Sequence, residues 1–158
     1  MIEGGKDRPG ILRRQNLLLD ASWNERTGRA CRKQRYINKT GTATVYGELV
    51  TFHTTTDYAV KLTAASDDEC IGAIYEAGVA DGSECLVVTG GSCHVLHENG
   101  LTTSALPGNW VKTGGAAGRA DAIDTGPNPA TRWLEVGHCC ETVIPATNAL
   151  VEITAHFN

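Results

Sequence analysis

The strongest indication of the fold is the stretch Glu84-Cys-Leu-Val-Val-Thr-Gly-Gly-Ser-Cys-His-Val-Leu96. Two runs rich in β-forming residues, 84–89 and 93–96, flank the segment Gly90-Gly91-Ser92. Glycine adopts without steric cost the positive φ angles that a tight hairpin turn requires. The stretch therefore predicts two antiparallel strands that are joined at the glycine pair.

Runs of the same kind lie on both sides of this stretch. Further strands are predicted over residues 44–53, 58–63, 70–75, 132–141 and 149–156. In the last of these, Val151, Ile153 and Ala155 alternate with Glu152 and Thr154, which predicts one apolar face. Short strands, eighteen glycines and no convincing long helix favour an all-β fold, either a small barrel or a sandwich.

The length of the chain, 158 residues, favours one domain with an extension. No apolar run approaches the roughly 20 residues that cross a bilayer. The first ten residues lack the apolar core of a secretory signal. We therefore expect a soluble protein that is made in a cytoplasm-like compartment and has no membrane partner.

Charge is unevenly distributed along the chain. Residues 1–39 contain ten basic and four acidic residues, a net charge of +6, whereas the remaining 119 residues contain four basic and fourteen acidic ones, a net charge of −10. This division predicts a basic extended N-terminal arm over residues 1–40 and a β-barrel-like body over residues 41–158. Residues 11–19 are long enough for only a short helix, which is marginal in isolation.

Three interpretations of the arm stay open: it binds a protein surface, it is a disordered tail, or it binds nucleic acid. Apolar anchors among the arginines favour a protein surface and make nucleic acid the least expected partner, because Trp and Arg are enriched at binding hot spots. Deletion of residues 1–35 is then expected to weaken binding and leave the body folded. The predicted binding residues are Arg8, Arg13, Arg14, Leu17, Leu18, Leu19, Trp23, Arg26, Arg29, Arg32, Lys33 and Arg35.

The six cysteines are expected to be reduced and partly buried, since nothing in the sequence indicates export. They are Cys31, Cys70, Cys85, Cys93, Cys139 and Cys140. A zinc site that combines His138 and Cys140 with Cys93 or His94 is conceivable, but these spacings do not match the usual paired zinc ligands. No metal and no other cofactor is predicted.

No catalytic constellation is found in the sequence. No cysteine lies at a plausible helix N-terminus, where a thiolate would be activated. Residues 114–118 are rich in glycine but lack the Lys and Ser or Thr of a phosphate-binding loop. The acidic run Asp67-Asp68-Glu69 has no aromatic cluster nearby to form a sugar cleft. The sequence therefore predicts a protein that is not an enzyme.

The order of segments over about residues 45–156 resembles the phage capsid decoration (cement) proteins, a family of small all-β head-stabilising proteins. The resemblance is carried by Cys70-Ile-Gly-Ala73, by the run from Gly78 to Val88 with the following glycine pair, by Gly118-Arg-Ala120 and by the final strand Ala149-Leu-Val-Glu-Ile153. These motifs consist of glycines and strand residues, and none of them contains a reactive side chain.

This resemblance implies a compact β-barrel or β-tulip body that assembles as a homotrimer on the outside of a bacteriophage capsid. It implies a structural virion protein that is made in the host cytoplasm and stabilises the capsid by bridging subunits of the major capsid protein. Trp110 and Trp133 are possible anchors of the oligomer. The alternatives are another virion component, such as a head-fibre or tail module, or a carbohydrate-binding or adhesion β domain.

Overall fold

The computed structural model describes residues 23–98, 106–123, 129–130, 132–142 and 148–157. The described residues form ten strands and one single-turn 3₁₀ helix, Arg132–Leu134, and they include no helix long and apolar enough to span a bilayer. The strands are β1 (Trp23–Asn24), β2 (Arg29–Asn38), β3 (Leu49–Phe52), β4 (Ala59–Leu62), β5 (Gly72–Ile74), β6 (Glu84–Leu96), β7 (Trp110–Thr113), β8 (Ala120–Ile123), β9 (Glu135–Cys139) and β10 (Leu150–Ala155). The predicted all-β class is confirmed.

Strand β6 runs without interruption through the glycine pair, so the predicted hairpin at Gly90-Gly91 is wrong. Gly91 has a φ of +83°, but here the glycine serves a close approach between strands. A Cβ atom on Gly91 would lie 2.7 Å from the carbonyl oxygen of Ala30 and 2.8 Å from the Cα atom of Cys31. The glycine therefore lets β2 approach β6 more closely than any side chain would permit.

Five strands close into a first ring in the order β2, β4, β3, β5 and β6. The ring closes because β2 pairs with two partners, parallel with β4 at Ile37 and Asn38 and antiparallel with β6 from Cys31 to Ile37. Buried side chains from all five strands fill its interior: Tyr36, Val50, Val60, Ile74, Cys85 and Val87.

The same strand β6 begins a second ring, which continues through β10, β9, β7 and β8. A parallel bridge between His97 and Ala120 brings β8 back to the end of β6. The larger core cluster lies here and includes Cys93, Val136 and Ile153. Adjacent residues of β6 point to opposite faces. Val87 therefore enters the first core and Val88 the second, and β6 joins the two rings.

The structure differs from the expected boundary between arm and body at residue 40. Strand β2 is a central member of the first ring, and β1 pairs with it at Trp23 and Asn24. The alternation typical of a strand is obscured because charged residues occupy β2 and the pairing with β6 is irregular between Arg32 and Lys33. Deletion through residue 35 would remove most of β2 and open the first ring, so we no longer expect that variant to leave the body folded.

Candidate functional site

The predicted binding residues fall into two groups. Arg8, Arg13, Arg14, Leu17, Leu18 and Leu19 lie outside the described residues, as does the short helix considered for residues 11–19. The other six lie in the hairpin that β1 and β2 form, or in its turn.

Trp23 is the first residue of β1 and directly follows residues 1–22. Its side chain is 49% exposed, whereas the next residue, Asn24, is fully buried and donates a hydrogen bond of 2.9 Å to the carbonyl oxygen of Ser92. The Asn24 side-chain oxygen also accepts hydrogen bonds from the backbone amides of Arg26 and Thr27. Asn24 thus anchors the hairpin, while the neighbouring indole remains available to a partner.

Arg26 and Arg29 contact the body of the protein. The guanidinium carbon of Arg26 lies 3.9 Å from the centroid of the Tyr46 ring, and the Tyr46 hydroxyl is 2.7 Å from Nδ1 of His94. The Nε atom of Arg29 lies 3.3 Å from a carboxylate oxygen of Glu152 on β10. Burial raises the pKa of Tyr46 and lowers the pKa of His94, so both groups are held in their neutral forms.

Arg32 and Lys33 are also bound within the molecule. Arg32 donates hydrogen bonds to the side-chain and backbone oxygens of Thr89, at 3.2 and 3.1 Å. The Lys33 ammonium nitrogen lies 4.2 Å from the centroid of the Tyr75 ring. Arg35 is an exposed residue of β2. Among the six hairpin residues, Trp23 and Arg35 are exposed, and the Arg29 side chain is 62% exposed beside its contact with Glu152.

The positive charge lies mainly in the hairpin and not in the first 22 residues. Residues 23–39 contain six basic residues and one acidic residue, a net charge of +5, whereas residues 1–22 contain four basic and three acidic ones, a net charge of +1. The basic region identified in the sequence is thus largely part of the folded body. Its cations fasten one of the central strands of that body.

The two predicted anchor tryptophans occupy different settings. Trp110, on β7, is half-buried, and the centroid of its ring lies 4.5 Å from that of the His138 ring. Trp133, in the 3₁₀ turn, is 57% exposed, and the guanidinium carbon of Arg132 lies 4.5 Å from the centroid of its ring. Only Trp133 offers a large surface to another protein.

The cysteines are unpaired, and five of the six are buried. Burial raises the pKa of Cys70 to about 12 and the pKa values of Cys85 and Cys139 to about 11. Burial also raises the pKa of Cys31 and of Cys93. A thiol with a raised pKa stays protonated at neutral pH, and a protonated thiol is a poor nucleophile. These five side chains pack as small apolar groups.

A cluster of two imidazoles and one carboxylate joins the ends of β9 and β10. Nε2 of His156 is 2.6 Å from Oε1 of Glu135, and Nε2 of His138 is 3.8 Å from the same oxygen. One potential ligand atom from each residue lies within 4.8 Å of the others. The two imidazole rings are nearly parallel, with centroids 5.4 Å apart. This combination of donors can bind a divalent metal ion.

An irregularity in β9 brings Glu135 and His138 together. Residues three apart on a regular strand point to opposite faces. Here Val111 of β7 pairs with Gly137 and the next residue, Lys112, pairs with Glu135, so that β9 contains one extra residue at this point. A Cβ atom on Gly137 would overlap the backbone of Thr154 and lie 3.0 Å from the Cα atom of Ala155. The close approach of β10 to β9 at this position therefore requires glycine.

The zinc hypothesis drawn from the sequence combined His138 and Cys140 with Cys93 or His94, and it did not include Glu135 or His156. In the structure Cys93 is buried, and the Sγ atom of Cys140 lies 3.2 Å from the Thr154 hydroxyl oxygen. The glycine within the run 132–141 is a known sign of a bulge and could have suggested a same-face pair three residues apart. The contribution of His156 depends on the pairing of β9 with β10, which single-sequence patterns do not give.

No protein-family model matches the chain, and no curated protein matches it. A solved structure described as head fiber gp8.5 N base in bacteriophage phi29 is similar with a TM-score of 0.46 and 15% sequence identity, over 78% of this chain and 92% of that chain. This likeness is too loose to assign a function to the present chain.

Proposed function

We propose that this protein is a structural component of a phage virion that binds the outside of the capsid and stabilises it by bridging subunits of the major capsid protein. The observation on which the proposal chiefly rests is the half-exposed Trp23, at the point where residues 1–22 join a rigid hairpin. The apolar run Leu17-Leu18-Leu19 lies a few residues before it. Together they supply the apolar anchors that a surface-binding arm requires.

The body offers further apolar side chains to partners. Tyr58 is 81% exposed, and Phe52 and Trp133 are more than half exposed. Aromatic side chains that remain exposed on a well-packed β body are frequent interface anchors. A homotrimer held by such side chains would present several copies of the Trp23 hairpin to one capsid at the same time.

The proposed mechanism is stabilisation by preferential binding. A protein that binds the assembled shell and not its separated subunits shifts the equilibrium toward the shell by mass action. Each copy that contacts two neighbouring subunits makes the second contact intramolecular, so its effective concentration is high. No chemical step is required.

The test is co-sedimentation of the purified chain with empty capsids of the phage that encodes it. Full-length protein is expected to sediment with the capsids until a fixed number of sites is filled. Trp23→Ala should reduce the affinity at least tenfold, because hot-spot tryptophans commonly contribute more than about 1.4 kcal/mol. The matched control is Tyr75→Phe, which changes a side chain that faces Lys33 within the body.

Three outcomes would contradict the proposal. One is the absence of sedimentation with capsids. Another is a copy number of only a few per particle, as for a fibre or tail module. The third is selective binding to a glycan instead of to the shell. Unchanged affinity of Trp23→Ala beside tight binding of the wild type would specifically refute the role of the hairpin.

A further inference from the structure

The Glu135–His138–His156 cluster has the composition and geometry of a metal-binding site. The three potential ligand atoms approach one another to within 4.8 Å, and Oε1 of Glu135 lies between Nε2 of His138 at 3.8 Å and Nε2 of His156 at 2.6 Å. Zinc ligands at about 2.0–2.1 Å in a tetrahedral arrangement are separated by about 3.4 Å. The two distances fall on either side of that value, so small rotations of the His138 and His156 rings would bring both close to it.

A second observation points to a missing partner. Oε1 of Glu135 is buried and has no aligned hydrogen-bond donor among the described residues, although Nε2 of His156 is close to it. Burial of a carboxylate oxygen without a hydrogen bond is costly. A cation placed between the carboxylate and the two imidazoles would satisfy this oxygen directly.

The surroundings hold the ligands in place. The ring of Trp110 packs against His138 and restricts its orientation, and the bulge at Gly137 fixes Glu135 on the same face. The His156 side chain is 53% exposed and the His138 side chain 40% exposed, so an ion can reach both imidazoles from solvent. Rigid support on one side and access on the other are the requirements for a usable metal site.

We infer that Glu135, His138 and His156 bind one divalent cation of borderline softness, of which Zn²⁺ is the best match. Two imidazoles and one carboxylate are a common zinc ligand set, and they leave a fourth position to water. Because the ligands come from β9 and from the residue that follows β10, the ion would fasten the final strand to its neighbour. This inference is independent of the proposed capsid function.

Calorimetric titration of the untagged full-length chain with Zn²⁺ tests the inference. We expect one Zn²⁺ ion per chain and a higher melting temperature of the loaded protein. Glu135→Gln, His138→Ala and His156→Ala are each expected to weaken binding at least tenfold. Circular dichroism is used to check that each variant is folded. His156→Ala is the substitution least expected to disturb the fold, because residue 156 follows the last described strand.

Two controls separate this site from other zinc ligands. Cys140→Ser removes the one cysteine that is not buried, and His53→Ala removes a histidine from the loop between β3 and β4; both are expected to bind Zn²⁺ as the wild type does. With Co²⁺ as the probe, a spectrum without sulfur-to-metal charge transfer is expected. Zinc binding that is absent, that is unchanged in all three ligand variants, or that is lost in Cys140→Ser would overturn the inference.

Discussion

The guanidinium carbon of Arg26 lies 3.9 Å from the centroid of the Tyr46 ring, and this contact fastens the N-terminal hairpin to the body. The sequence pattern suggests that Arg26 faces a partner. In the structure the guanidinium of Arg26 lies over the buried ring of Tyr46. Positive charge in the hairpin therefore contributes to the stability of the fold.

Loss of this contact should destabilise the protein. Arg26→Ala is expected to lower the free energy of unfolding by about 1 kcal/mol, because cation–π contacts with a desolvated ring are worth that order of energy. Arg35→Ala, on the exposed side of β2, is expected to change it by less than about 0.5 kcal/mol. Urea denaturation followed by circular dichroism measures both values. Equal effects of the two substitutions would contradict the assigned role of Arg26.

Gly137 is expected to be required for the close packing of β9 against β10. Gly137→Ala should cost at least about 1–3 kcal/mol of stability, because a Cβ atom there meets the backbone of β10, which cannot move without disturbing the strand pairing. The control is Gly115→Ala, where a Cβ atom comes no closer than 3.5 Å to any other atom. Thermal unfolding of the two variants distinguishes them. A Gly137→Ala protein as stable as the control would contradict the close approach of β10 to β9 at this residue.

The buried side chain of His97 is expected to make the folded protein less stable at mildly acidic pH. It is fully buried, and neither ring nitrogen has a hydrogen-bond partner among the described residues. Burial lowers the pKa of His97, and this effect exceeds the opposing influence of the Asp121 and Glu98 carboxylates. The unfolded chain takes up a proton near pH 6.5, whereas the folded chain does so only at lower pH. Stability contributed by the neutral ring is therefore complete above that pH and is lost as the pH falls below it.

The measurement is the free energy of unfolding between pH 7.5 and 5.5, a range in which ordinary carboxyl groups remain ionised. The wild type should become less stable toward pH 5.5. His97→Leu should show a smaller slope, since leucine removes the titrating group from the same buried position. Parallel slopes for the two proteins would show that the buried imidazole does not control this pH dependence.

Two deletions test where the arm ends and the body begins. Removal of residues 1–22 leaves every described strand intact and should yield a cooperatively folded protein. Removal of residues 1–35 takes away β1 and most of β2 and should abolish cooperative unfolding, because β2 closes the first ring. Calorimetry of the two truncated chains gives the answer. Cooperative unfolding of the protein that lacks residues 1–35 would support the predicted boundary between arm and body at residue 40.

The sequence predicted some elements well because one simple rule governs them. In β10, Val151, Ile153 and Ala155 are buried and alternate with less buried neighbours, as their periodicity indicated. Prediction from the sequence was wrong where one residue type can serve two structural purposes. A glycine pair fits a turn as well as a close approach between strands. Only the position of Ala30 and Cys31 beside Gly91 distinguishes the two.

The binding residues show a similar limit. The basic residues of β2 and of the turn before it resemble a solvated tail, because local sequence does not reveal that Tyr46, Tyr75 and Glu152 lie opposite them. The Glu135–His138–His156 cluster depends on a bulge in β9 and on the register between β9 and β10. Contacts of this kind are properties of the assembled sheet.

Electron microscopy of the intact particle tests the central claim most directly. We expect density for the double-ring body on the outer surface of the shell, in contact with at least two subunits of the major capsid protein and with Trp23 at the contact. Absence of the chain from the particle, or its presence at a site that touches only one capsid subunit, would contradict the account.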